Sequence, residues 1–199
     1  MKMILASQSP RRRELLERMG ISQFEVIPAE GEEIIEPALT PAELVETLSR
    51  RKCAEVAAAH PEALIIAADT VVSIDGRILG KPQNKTEAAD MLAALSGREH
   101  VVYSGLTVFC GGETVTEHDA SAVRFRPLTG AEIERYIATG EPMDKAGAYG
   151  IQGYGSVLVE GISGDFYNVM GLPVCRLARL LARFGVDTLA LAAEKEQTR

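Results

Sequence analysis

The stretch ALIIAADTVVSI, residues 63–74, constrains this chain most. It is apolar without a break from Ala63 to Ala68, as a strand buried in a sheet would be. A carboxylate, Asp69, follows directly. The expectation is that Asp69 lies at the end of this strand, where open α/β sheets place their ligand sites. A turn or helix-capping aspartate is the plainer alternative, but Asp69-Thr70 runs on into VVSI and no helix follows. A carboxylate in that position can bind a metal or activate water.

The remaining elements are legible from periodicity and end signals. MILA, residues 3–6, fits a second buried strand. Ser9 then suits an N-cap, Pro10 the first helical position, and Gly20 the helix end. FEVIP (24–28) reads as a strand. A helix over 40–60 opens with Thr40, Pro41 and Glu43, a capping box. Asp75-Gly76 marks a tight hairpin. Asn84 and Glu87 open a helix over 84–97, and Gly111-Gly112 centres a long hairpin over 100–128. Thr129 and Glu132 repeat the capping spacing over 129–140. Residues 141–155 are Gly-rich and irregular, and SVLVEGI after them reads as a strand. The last helix starts near Pro173, and the Ala/Glu/Lys-rich tail from Val186 is expected to fray. Strands and helices alternate, but hairpins interrupt them. That predicts an α/β fold with a mixed sheet.

With 199 residues, the chain is expected to form a single domain over 1–199, in one body or two lobes. No apolar run approaches the ~20 residues of a membrane span. Arg11 follows the first apolar run too closely for a signal peptide. A net charge of −7 disfavours general nucleic-acid binding. Cys53, Cys110 and Cys175 match no disulfide framework or zinc spacing and read as reduced, core-type residues of a cytoplasmic protein. His60, His100 and His118 are equally scattered, so any metal is expected to be a hard ion on oxygen ligands.

Against this acidic background Arg11, Arg12 and Arg13 stand at a helix N-terminus, where cations oppose the helix dipole by roughly 0.3–1 kcal/mol each. Either they lean into water, or they hold an anion with Ser7, Ser9 and the free N–H groups of the helix. Glu30, Glu32, Glu33 and Glu36 form an acidic loop, either solvated or a source of oxygen ligands to complement Asp69. Lys52 and Lys81 are surface lysines unless something anionic gathers them. MDKAGAYGIQG, with Gly147, Gly150 and Gly153 around Gln152, matches no standard phosphate loop and reads as a connector or as a clamp over a flat or charged ligand. Asp165 precedes the Gly-Leu-Pro turn into the last helix. Cations for a polyanion, acids for a divalent ion and a Gly-rich clamp together point to nucleoside-triphosphate hydrolysis.

LASQSPRRRELL, AADTVV, LGKP, EPMDKAGAYGIQG and GDFYNVMGLP together resemble the Maf family of nucleoside-triphosphate pyrophosphatases, in the family's order, over about residues 3 to 185. The resemblance implies an inosine-triphosphate-pyrophosphatase-like fold, a mixed twisted sheet in two lobes with a central cleft. It implies hydrolysis between the α and β phosphates with a divalent cation, Mg²⁺ foremost and Mn²⁺ or Co²⁺ as alternatives. Asp69 matches the catalytic acceptor and, with Glu32, the metal ligands. Ser7, Arg11, Arg12, Lys52 and Lys81 match the polar and cationic set around the phosphates, and Gln152 and Asp165 the rest of the pocket. Arg13 falls at a variable position. Arg12, Thr70 and Gln152 resemble the branch acting on dTTP and UTP. A Gln amide carries both donor and acceptor, which suits the edge of uracil or thymine. The family is compatible with a homodimer, and its association with septum formation leaves a nucleotide-binding regulator of division as the alternative.

Overall fold

The computed structural model of the chain describes residues 1–31 and 39–197. Its strands are β1 (Met3–Leu5), β2 (Glu25–Val26), β3 (Leu64–Ile74), β4 (Arg77–Leu79), β5 (Glu99–Cys110), β6 (Glu113–Phe125) and β7 (Val159–Ser163). Its helices are α1 (Pro10–Arg18), α2 (Pro41–Ala59), α3 (Lys85–Leu95), α4 (Gly130–Ala138), α5 (Phe166–Met170), α6 (Val174–Arg183) and α7 (Thr188–Gln197). Among the described residues the strands form one sheet in the order β2-β1-β3-β5-β6-β7, with β4 on β3. β1 runs parallel to β2 and β3, whereas β3–β4 and β6–β7 are antiparallel, so the sheet is mixed.

The end signals act where the sequence places them. Thr40 and Thr129 each accept a hydrogen bond from the backbone N–H three residues on, and Glu43 and Glu132 reach back to close reciprocal capping boxes. Asn84 caps α3 through the Glu87 N–H. Pro10 starts α1, although the Ser9 side chain makes no capping bond. Asp75 and Gly76 both take positive φ, as a two-residue hairpin turn of this hand requires.

Four expectations need correction. Asp69 is not at a strand end, because β3 continues through it to Ile74. The pairing explains how: β1 accompanies β3 only as far as Ile66, and β4 takes up its pairing at Val72. Asp69 lies in the interval, past the last residue of the parallel neighbour. Residues 154–158 form 3-10 turns, so β7 starts later than the apolar pattern of SVLVEGI implied. The tail from Val186 does not fray at once but forms α7, which lies so close to Gly20 that a Cβ there would meet the Ala192 backbone nitrogen at 2.6 Å. Finally, of the cysteines only Cys53 is a core residue, its thiol pushed up to about 12 by burial, while Cys110 is half-buried and Cys175 exposed.

Internal contacts divide the chain into two units: Met1–Asp69, Ser104–Asp119 and Gly171–Arg199 in the first, Thr70–Tyr103 and Ala120–Met170 in the second. The first has a core of Ile4, Ala6, Cys53, Val56, Ile65 and Ala67, where α2 covers one face of β1 and β3. The second has a core built on Val72, Leu92, Leu95, Phe125, Ile133 and Tyr149. No described helix is long and apolar enough to cross a membrane.

Candidate functional site

In the first unit, strand alternation puts Asp69 on the same face of β3 as Ile65 and Ala67, the face that Cys53 and Val56 of α2 cover. Lys52, next to Cys53, therefore meets Asp69, and its Nζ forms an ion pair with Oδ1. Asp69 is only 6% exposed, the one buried carboxylate among the described residues. A buried carboxylate is costly unless it is paired, and Lys52 supplies the pair. Seventeen residues separate the two in sequence.

The loop between β1 and α1 supplies a second cluster in that unit. The buried Ser7 hydroxyl accepts from the Ser9 N–H at 3.3 Å and from Arg12 Nη1 at 3.1 Å. Arg12 Nε also donates to the Gly171 carbonyl at 2.8 Å. Arg12 is thus held on two sides, and its guanidinium keeps a fixed orientation beside Ser7. Arg11 is half-buried. Arg13 behaves differently: it is exposed and pairs with Glu17 one turn on, at 3.1 Å. The solvated reading of the arginine triplet is correct for Arg13.

The acidic loop begins in the same unit. Glu55 of α2, almost one turn after Lys52, accepts from the backbone N–H groups of Glu30 at 2.7 Å and Gly31 at 3.2 Å. Glu32, the acid expected to act with Asp69, lies outside the described residues, as do Glu33 and Glu36. Among the described residues no three His, Cys, Asp or Glu side chains come together as a metal cluster.

The second unit carries the other expected residues. Thr70, half-buried, follows Asp69 on β3. Lys81 is exposed just after β4, and the carbonyl of the preceding Gly80 accepts from the Gly147 N–H at 3.0 Å, which ties LGKP to the Gly-rich segment. Gln152 is exposed, directly after the buried Ile151 and before the exposed Gly153. Asp165 is anchored through its backbone, where Ser121 Oγ accepts from its N–H and donates to its carbonyl, both at 3.0 Å. Its Oδ1 accepts from the Tyr167 N–H at 2.8 Å, while its Oδ2 is buried with no hydrogen-bond partner among the described residues. A buried carboxylate oxygen left unbonded is costly, and a ligand donor or water would relieve it.

Some supporting residues were not singled out from the sequence. Asn168 donates from Nδ2 to the Val102 carbonyl at 3.0 Å and to Ser121 Oγ at 2.9 Å, fixing the GDFYN segment to β5 and β6. Glu141 binds the Gly-rich segment, as described below. Their side-chain type was visible in the sequence, but no local pattern told which distant strand each would reach. Lys145 of the same segment is engaged within it, donating to the Glu141 carbonyl at 2.7 Å and to Asp144 at 2.6 Å.

Comparison with known proteins gives consistent relatives. The family model described as "Maf-like protein" matches residues 2–184. A protein of Moorella thermoacetica named dTTP/UTP pyrophosphatase is 53% identical over 189 residues, 94% of this chain and 96% of that one. A protein of the same name from Symbiobacterium thermophilum is 48% identical over 184 residues, covering 92% and 94% of the two chains. Among solved structures, a HAM1 protein from Coxiella burnetii aligns over 92% of this chain and 99% of its own, with 15% identity and a TM-score of 0.49.

Proposed function

The chain belongs to the Maf family, and from that premise we propose that it is a nucleoside-triphosphate pyrophosphatase acting on dTTP and UTP. The substrates are those named for relatives 48–53% identical over more than nine-tenths of the chain. The observation that carries the chemistry is the ion pair between the buried Asp69 carboxylate and the half-buried Lys52, a cation that can itself turn to a phosphate.

In this reading Arg11, Arg12, Lys52 and Lys81 match the roughly four negative charges of the triphosphate, and Ser7 adds a hydroxyl held beside Arg12. Engagement of Lys52 with phosphate leaves the Asp69 carboxylate as an acceptor. A water donates its proton to Asp69 while its oxygen attacks the α-phosphorus. The bond from that phosphorus to the bridging oxygen breaks, and pyrophosphate departs with the electron pair, its charge stabilised by the arginines and lysines. Products are the nucleoside monophosphate and pyrophosphate. Gln152 reads the pyrimidine edge with one donor and one acceptor, Thr70 contributes a hydroxyl, and the unbonded Oδ2 of Asp165 accepts from the nucleotide.

The donor set fits a divalent cation of the Mg²⁺ type, which takes one or two carboxylates and completes its shell with substrate oxygens and water. Asp69, together with Glu32 from the acidic loop, would hold it, and Mg²⁺, Mn²⁺ or Co²⁺ there supplies Lewis-acid neutralisation of phosphate charge. The tether of Glu30 and Gly31 to Glu55 anchors the start of that loop to the helix that carries Lys52. The chain acts as one functional domain over residues 1–199, in the cytoplasm where these nucleotides are made, and a homodimer is the assembly compatible with the family.

The test is a release assay with Mg²⁺ over dTTP, UTP, CTP, ATP, GTP and 7-methyl-GTP that distinguishes pyrophosphate from orthophosphate. Pyrophosphate from dTTP and UTP, with little from the others, is the expected result. Tight triphosphate binding without turnover of any of them would overturn the enzyme reading in favour of a nucleotide-responsive regulator.

A further inference from the structure

Gln152 lies outside any helix or strand, between 3-10 turns at 146–148 and 154–158, yet the backbone around it is not left to water. Glu141, in the EPMD turn before it, aims its carboxylate into the segment: Oε2 accepts from the Tyr154 N–H at 2.7 Å and Oε1 from the Gly155 N–H at 2.9 Å. Tyr136, from the last turn of α4, donates its hydroxyl to Glu141 Oε1 at 2.8 Å and accepts from the Gly150 N–H at 3.0 Å. These two side chains thus bind the backbone on both sides of Gln152, at residue 150 and at residues 154 and 155. The packing around them is tight. A Cβ on Gly153 would fall onto the Glu141 carboxylate, and one on Gly155 would meet Tyr136 Oη at 2.6 Å. Burial works to raise the Glu141 pKa, but the hydrogen bonds from Gly155, Tyr136 and Tyr154 and the nearby Lys145 outweigh it and leave it below the ordinary carboxylate range.

We infer that Glu141 and Tyr136 are positioning residues that set base selectivity by holding the Gly150–Gly155 backbone in one conformation, so that the exposed Gln152 amide presents its donor and acceptor at a fixed place. The inference rests on the reading of Gln152 as the group that recognises uracil or thymine. Charge-assisted hydrogen bonds to backbone N–H groups are stronger than neutral ones. A buried tyrosine, itself anchored in the core of its unit, makes the clamp rigid. Neither residue needs to touch the nucleotide. Their effect is carried by the three backbone groups they bind.

The experiment measures kcat and KM for dTTP, UTP and CTP in the wild type, Glu141→Ala, Glu141→Gln and Tyr136→Phe, with melting temperature and amide hydrogen exchange on each. Ile133→Ala, a core truncation in α4, controls for simple destabilisation. In Glu141→Ala the Tyr154 and Gly155 amides exchange faster. KM for dTTP and UTP rises roughly 10- to 100-fold, as loss of the hydrogen bonds to the base edge predicts. The preference over CTP shrinks, and kcat changes less. Glu141→Gln falls between, since its amide offers one acceptor for two N–H groups. Tyr136→Phe, which keeps the ring in the core, loosens Gly150 and lowers the same preference, and it provides the test if Glu141→Ala fails to fold. Ile133→Ala lowers the melting temperature and leaves the preference unchanged. Wild-type preference in a folded Glu141→Ala or Tyr136→Phe protein would overturn the positioning role while leaving the functional reading intact. A wild type that does not favour dTTP and UTP over CTP would overturn the base-reading premise itself, and the inference with it.

Discussion

At the scale of single residues, Asp69 carries the argument. The sequence marks it as an acid breaking an apolar run, and the structure adds the cation that makes its burial tolerable. Asp69→Asn keeps the shape and removes the base. The expected outcome is a fall in kcat of about 10²- to 10⁴-fold, the usual worth of a positioned proton acceptor, with an unchanged circular-dichroism spectrum. Steady-state pyrophosphate release measures it, and a wild-type rate in the variant would remove Asp69 from the chemistry. The arginine triplet shows how residue type alone underdetermines role. Arg12 and Arg13 are neighbours of identical chemistry, yet Arg12 turns to Ser7 and Gly171 while Arg13 turns to Glu17 on the solvent side of the same helix. Helical rotation of 100° per residue separates their fates.

At the scale of elements, helix starts were the most legible feature. Thr40, Asn84 and Thr129 each sit where a cap was expected, because capping depends on groups only three residues apart. α4 has the fullest such start: Glu132 closes the box on Thr129 and also pairs with Arg126 at 2.8 Å, and the hydrogen bond from Arg126, with those from Thr129, draws its pKa down to about 2. Thr129→Ala is expected to cost about 1 kcal/mol. That corresponds to a drop of roughly 2–4 °C in melting temperature for a chain of this length, read by thermal denaturation at pH 7. Strand ends were less legible than helix starts. The apolar pattern of SVLVEGI could not tell that its first residues belong to a 3-10 turn, since a run of three residues is too short to separate a repeat of two from a repeat of three.

At the scale of the whole molecule, stability depends on groups that local sequence does not connect. His100 is 2% exposed, and its Nε2 bonds the Tyr149 hydroxyl at 2.8 Å, with Phe125 edge-on to its ring. Burial lowers its pKa from 6.5 to about 4. The unfolded chain therefore binds the proton more readily than the folded one, so protonation favours unfolding. The contribution is fully present above about pH 6.5 and is lost progressively as pH falls toward 4. Its full size is about 3 kcal/mol. Melting temperature is expected to fall over that window, and His100→Phe, which cannot be protonated, is expected to flatten the slope between pH 6.5 and 4.5. An equal slope in the variant would assign the loss to other groups. The fold at this scale was half legible. A mixed α/β sheet followed from alternation broken by hairpins. That β1 would lie between β2 and β3, and that the tail would form a helix against Gly20, did not.

What the sequence by itself determined is whatever depends on neighbours within a turn or two: the caps, the two tight hairpins, the buried run around Asp69, and the family to which the motifs belong. What only the tertiary structure decided is which distant groups meet. Lys52 reaches Asp69 because a helix face and a strand face pack together, Ser121 and Asn168 fix the backbone at Asp165, and Glu141 closes on N–H groups beyond the very glycine whose missing Cβ makes room for it. The physical reason is one of range. A cap or turn is set by dihedral preferences and hydrogen bonds inside a few residues, whereas a buried polar pair exists only once close packing has excluded water from both partners and left each no other way to be satisfied.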